Sequence, residues 1–268
     1  MTFYHYTVYM ATIYSITNQK GGVGKTTTCL CLGSALAEEG YKVLLVDFDP
    51  QAGLTVSLGY DPDSFSKTIY DSLINCEQYP LKEVLIATKI NNLFVVPSNL
   101  DLAGAEGELI GEIGWDRNLK EALAEIKNDY DFIFIDCPPS LGVLTTNALI
   151  CADAVIIPVQ TEYLALRGLK QLENIIAKVR KKGNPKLRKR ILRTMHNTRT
   201  LHSKEVVEEL EKIFPQEVFS TIIKRTVKFA DATLAGLPII QYAKTSEAAD
   251  AYRNLAKEVI EDAKTAIS

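Results

Sequence analysis

Short runs of wholly apolar residues alternate with segments of helical period along almost the entire chain. The runs at 43–46, 132–135 and 154–159 show no polar alternation, and the stretch 13–17 reads as a strand of the same set. Strands apolar on both faces suit a parallel sheet covered by helices on each side. The period predicts helices at 26–39, closed by Gly40, and near 116–127, 141–151, 162–182, 203–213 and 246–265. Further strands are expected near 190–195, 218–223 and 239–241. Residues 61–92 are the least regular and read as helices and loops covering one edge. This order predicts an α/β fold, one doubly wound, mostly parallel sheet flanked by helices. No linker, repeat or low-complexity tract divides it, so residues 10–268 are expected to form one domain. Met10-Ala11-Thr12-Ile13 opens the first strand, and residues 1–9 read as a short N-terminal extension.

The segment between the first strand and first helix is Lys20-Gly21-Gly22-Val23-Gly24-Lys25-Thr26-Thr27. The ordinary phosphate-loop pattern requires a glycine where Gln19 stands, so that pattern fails. Its physical logic survives. Three glycines let the backbone turn its N–H groups inward around an anion, and the following helix adds its positive end. Lys25 can reach the outer phosphates of a nucleotide, and the Thr26 hydroxyl can ligate Mg²⁺. Lys20 is a second lysine at the mouth of a nest that Lys25 already serves. The useful place for its charge is the nucleotide of a second subunit. Two strand ends add carboxylates: Asp47 and Asp49 follow the run at 43–46, and Asp136 ends that at 132–135. Ligands gather at the carboxyl ends of strands in such sheets.

Composition changes the picture little. The chain has 268 residues, 47% hydrophobic and 24% charged, values ordinary for a globular protein. Its five cysteines are scattered and read as small buried residues in a reducing cytoplasm. A metal-cluster carrier would need paired cysteines, and only Cys137 and Cys151 fall near the nucleotide side. Charge matters more. The net charge is −3, yet 174–203 contains no acidic residue and ten cations, Arg190, Arg193 and Arg199 among them. That stretch is a candidate polyanion surface, with no pattern suggesting base-specific reading.

The loop, Val46-Asp47-Phe48-Asp49-Pro50-Gln51, Asp136-Cys137-Pro138-Pro139-Ser140-Leu141-Gly142 and Ile157-Pro158-Val159-Gln160-Thr161-Glu162 together resemble the ParA/Soj family of partition ATPases. The resemblance runs from about Thr12 to about Val259. It implies ATP and Mg²⁺ as cofactors and slow, partner-stimulated hydrolysis. It also implies a homodimer enclosing ATP, with Lys20 crossing to the partner's nucleotide, and Asp49 orienting the attacking water. Asp47 and Asp136 would support Mg²⁺ bound by Thr26. The adenine side would fall on Asn197, Lys224 and Thr226. Arg225 and Lys228 would join Arg199, Arg190 and Arg193 in holding double-stranded DNA without sequence preference, with a ParB-like protein as partner. The implied place is cytoplasmic and nucleoid-associated. A cargo other than DNA is the alternative. A membrane-positioning role of the MinD kind fits less well, because the end at 258–268 is acidic and weakly apolar, without a cationic amphipathic face.

Overall fold

The structure is a computed structural model and describes residues 11–161, 165–197 and 201–267. Eight strands form one sheet: β1 (Thr12–Ile16), β2 (Val43–Asp47), β3 (Ile86–Ala87), β4 (Leu93–Val96), β5 (Phe132–Asp136), β6 (Ala154–Gln160), β7 (Arg188–His196) and β8 (Val218–Lys224). Their order is β3-β4-β2-β5-β1-β6-β7-β8, and only β3 runs antiparallel to its neighbour. The helices are α1 (Lys25–Glu38), α2 (Gly53–Ser57), α3 (Ile69–Ile74), α4 (Leu81–Val84), α5 (Leu102–Leu109) and α6 (Asn118–Ala124). They continue with α7 (Val143–Cys151), α8 (Ala165–Lys182), α9 (Leu201–Ile213), α10 (Lys228–Leu234), α11 (Ile239–Tyr242) and α12 (Glu247–Ile267).

The all-apolar runs have a direct cause. Alternate residues of each central strand enter two different cores. Leu44, Val46, Ile133, Ile135, Val155 and Ile157 pack in the core that takes in α6, α7 and α8. Val43, Leu45, Phe132, Phe134, Ala154 and Ile156 pack in the core beneath α1 and α12. Neither face of these strands meets water, so neither can carry polar residues.

Two expectations change. The segment at 239–241 forms the short helix α11, not a strand. Pro238 precedes it with the extended backbone of a helix entry, and Ile239 and Ile240 are both buried in the core of α1 and α12. Residues 61–92, read as helices and loops, also supply the edge strand β3.

α12 is fixed to the sheet by a polar cluster. The Tyr14 hydroxyl donates to Asp262 Oδ2 at 2.9 Å, and Arg188 Nη1 donates to the same oxygen at 2.6 Å. Arg190 Nε lies 3.5 Å from Asp262 Oδ1. Burial, reinforced by Asp262, pushes the Tyr14 hydroxyl well above the usual tyrosine range, so it remains a donor. Asp262→Ala strands two half-buried guanidinium groups. It is expected to cost about 2–3 kcal/mol, below the fully buried case because both arginines are partly exposed. Thermal melting should fall by about 4–10 °C, while Lys264→Ala, at an exposed pair with Glu261, should leave it unchanged.

Candidate functional site

The loop joining β1 to α1 is held by its own polar side chains. Asn18 is buried; its Nδ2 donates to Pro158 O at 2.7 Å and its Oδ1 accepts from Lys20 N at 2.9 Å. On the other side, Thr194 Oγ1 donates to Val23 O at 2.9 Å. The loop is thereby anchored to β6 and β7. Gly22 and Gly24 take φ of 71° and 91°, the left-handed region that glycine enters without strain. A Cβ at either would meet nothing within 4 Å, so backbone conformation alone demands glycine. Gly24 caps α1 without a side-chain bond, and no acidic residue stands in the first turn. The first N–H groups of α1 are open to an anion.

Around this nest stand the expected side chains. Lys25 is buried, with Nζ 3.5 Å from Lys20 O. Burial draws its ammonium below the usual lysine range, and Asp136 is the strongest opposing influence. Lys20 is exposed, and its Nζ donates to Gln160 Oε1 at 2.9 Å. Asp47 and Asp136 are register partners at the ends of β2 and β5, and both are fully buried. Asp47 Oδ2 accepts from Thr55 N at 2.8 Å and Thr55 Oγ1 at 2.7 Å. Burial still pushes its carboxyl up to about 6. Neither oxygen of Asp136 has a hydrogen-bond partner. Burial, then the neighbouring Asp47, push it well above the carboxylate range; the nearby Thr26 hydroxyl and Lys25 oppose this. Asp49 is half-buried, its Oδ1 accepting from Gln51 N at 2.9 Å, and Ser98 Oγ donates to its carbonyl at 3.0 Å.

An orphaned, buried carboxylate beside Thr26 and Lys25 is what a hydrated divalent cation requires. Mg²⁺ keeps several waters and takes one or two carboxylates plus phosphate oxygens. The residues therefore fit the ion. Among the described residues no group of three or more His, Cys, Asp or Glu forms a self-sufficient metal cage.

Beside the loop opens a cavity of about 250 Å³, walled by Val23, Met195, Ile223 and Phe229 and edged by Lys224 and Thr226. Met195 takes φ of 50°, where β7 breaks register with β8. Asn197 lies exposed one residue past β7 and does not line this cavity. Lys224 is tied to Glu247 by an ion pair.

The basic residues part company. Arg225 and Lys228 are exposed and line an adjoining groove of about 480 Å³. Arg193 is turned inward: its guanidinium pairs with Glu211 and donates to Phe219 O at 2.7 Å and Ser220 O at 2.9 Å. With 3% exposure it is not available to DNA. Arg190 lies over the Phe219 ring, 4.4 Å from its centroid, and donates to Gln216 O, so its main attachments are internal. Arg199 lies outside the described residues, as do residues 1–9. Sequence reading gave no role to Thr55, Ser98 and Thr194, which hold the Asp47 carboxylate, the Asp49 carbonyl and the loop. Their only signal was a small polar residue within or beside an apolar run.

A family model described as an AAA domain matches residues 11–189. The sporulation initiation inhibitor protein Soj of Bacillus subtilis is 47% identical over 93% of this chain and 98% of its own length. The chain belongs to the ParA/Soj family. The chromosome partitioning protein ParA of Myxococcus xanthus is 43% identical over 92% of the chain and 87% of its own length. Among solved structures, a cobyrinic acid a,c-diamide synthase of Mycobacterium smegmatis with bound ADP and magnesium superposes with a TM-score of 0.84. It is 39% identical and covers 95% of this chain and 96% of its own. The stretch 107–115 lies within the matched span, and α5 runs through its start to Leu109 despite Gly104 and Gly107. Ile110 and Ile113 follow it, both exposed.

Proposed function

We propose that this ParA/Soj chain binds ATP with Mg²⁺, hydrolyses it slowly, dimerises around the nucleotide and, in that state, holds duplex DNA without reading its sequence. The observation that carries the nucleotide reading is Asp136, buried with both oxygens unpartnered at the end of β5 beside Lys25 and Thr26. Thr26, Asp47 and Asp136 would hold the cation, which neutralises charge building on the phosphates. Gly21 to Thr27 receive the phosphates on their backbone N–H groups, and Lys25 supplies a fixed positive charge. Asp49, half-buried just past the end of β2, is the group assigned to orient a water. The cavity beside Val23 and Met195 takes the base. Lys20, already carrying its charge at the mouth of the loop, serves the second subunit's nucleotide.

Two observations favour a DNA matrix over a membrane. Arg225 and Lys228 are exposed next to the base cavity, so nucleotide state and DNA contact share a segment. The apolar face of α12, with Tyr252, Leu255 and Val259, is occupied by the core. No helix among the described residues is long and apolar enough to cross a membrane. Ammonia transfer from glutamine, one route to an amide, would need a reactive thiol. Burial raises all five thiols, Cys31 and Cys137 up to about 12, away from thiolate character.

The test is binding to random-sequence duplex DNA in ATP and in ADP across a salt series. Tight binding in ATP alone is expected, with a log–log slope of about −0.9 per phosphate neutralised. Arg225→Glu should weaken it at least about tenfold and make the slope shallower by about one. Equal binding in ADP and ATP would remove the nucleotide gate from this reading.

A further inference from the structure

The acid-free stretch at 174–203 is one run in sequence but two surfaces in the fold. α8 returns antiparallel to β6, so its last turns lie at the amino-terminal edge of the sheet, the end remote from the phosphate loop. Lys178, Lys181, Lys182 and Lys186 are exposed there. Among the described residues no carboxylate pairs with any of the four. In contrast, Arg188, Lys189, Arg190 and Arg193, farther along the same run, each have a carboxylate partner.

The same edge contains a depression of about 180 Å³. Lys120 and Lys127 stand in its wall, Ile13, Leu123 and Ile150 form its apolar floor, and Asn184 closes it. Neither lysine has a carboxylate partner among the described residues. Asp153 is the one carboxylate in the lining, and its Oδ2 already accepts from Ile13 N at 2.8 Å. The shape is fixed. Asn184 Nδ2 donates to Leu149 O at 3.0 Å and Ala152 O at 2.6 Å, which ties the turn after α8 to the end of α7. The cations in the last turn of α8 are partly explained by its helix dipole. Dipoles do not explain why a concave apolar floor lies between Lys120 and Lys127, which share the field of Asp153 but are in direct contact with no carboxylate among the described residues.

A duplex backbone offers charge but no apolar group for such a floor. An acidic peptide offers both. We propose that this edge docks an acidic segment of a partner protein, one apolar side chain entering the depression and carboxylates meeting Lys120, Lys127 and the lysines in and just after the last turns of α8. Docking there leaves the nucleotide and DNA faces free, so a partner could be held throughout the ATP cycle.

The probe is a short fluorescein-labelled peptide of aspartate and glutamate around a central leucine, titrated with the full chain and read by anisotropy. Binding is expected in ADP and ATP alike, weakened about tenfold or more by Lys120→Glu with Lys127→Glu. An all-acidic peptide without leucine should bind several-fold more weakly. A second variant, Lys181→Glu with Lys182→Glu, changes only exposed side chains and should weaken binding in the same direction. Thermal melting of each variant verifies that it is folded. Three results would each overturn the proposal: no peptide binding, equal binding by both folded variants, or loss of duplex DNA binding instead of peptide binding in those variants.

Discussion

Lys20→Ala is expected to lower DNA- or partner-stimulated ATP turnover by about 10³-fold or more while the chain still binds ATP. Cations placed against charge developing between transferring phosphates are worth about 10³–10⁵ in rate. Lys25 already occupies the inner position, buried at the base of the loop, so the substitution leaves the nest and its first lysine intact. Within one chain, Lys20 Nζ rests on Gln160 Oε1 at the end of β6. Reaching another subunit's nucleotide requires Lys20 to leave Gln160 for a phosphate, a charge-assisted partner for an ammonium. Single-turnover kinetics and fluorescent-nucleotide binding would separate the two effects. A variant that binds ATP and also turns it over at the wild-type rate would remove Lys20 from the reaction.

Asp136→Asn should raise the stability of the nucleotide-free protein and abolish turnover together. Asp47 and Asp136 stand side by side at strand ends, fully buried, with folded-state pKa values above the ordinary carboxyl value. For a raised pKa the stabilising contribution is complete below the unfolded value. It is lost as pH rises through the folded one. The nucleotide-free wild type should therefore melt at progressively lower temperature as pH climbs through about 6, where Asp47 ionises, and further as Asp136 follows. Asp136→Asn removes one of these charges, so its profile should be flatter and its melting point higher on the alkaline side by a few degrees, at about 2–4 °C per kcal/mol. Mg²⁺ with ATP should raise the wild type's melting point most at alkaline pH and leave the variant nearly unmoved. A variant that melts no higher than wild type above pH of about 6 would contradict the burial argument.

The sheet and the phosphate loop were legible because both are written in local pattern. An uninterrupted apolar run such as Phe132 to Ile135 has one economical explanation, two buried faces, and the two cores show it. Glycines at 22 and 24 announced a backbone that other residues avoid, and the φ angles agree. What failed depended on contacts distant in sequence. Arg193 reads as one more surface cation beside Arg190, yet β7 lies between β6 and β8, and its guanidinium finds carbonyls of β8. Two β-branched residues at 239–240 suggested a strand, and burial beneath α1 and α12 made them a helical turn. The split of the basic run was invisible for the same reason: sequence adjacency does not say that a helix carries its residues to the far end of a sheet.

The position of β1 has a consequence for the order in which the protein can be made. It is the first strand in the chain, but its hydrogen-bonded neighbours are β5 and β6, with Thr12 beside Phe132 and Tyr14 beside Ala154. Non-local pairing of this kind is slow, because the loop between the partners must close before any contact rewards it. During synthesis the first strand therefore waits, apolar on both sides, until most of the sheet has left the ribosome. The phosphate loop that follows it is anchored by Asn18 to Pro158 and by Thr194 to Val23, and cannot be fixed sooner. A nascent chain halted before β6 would carry every residue of the glycine loop and no nucleotide site, together with an unpaired strand prone to aggregation.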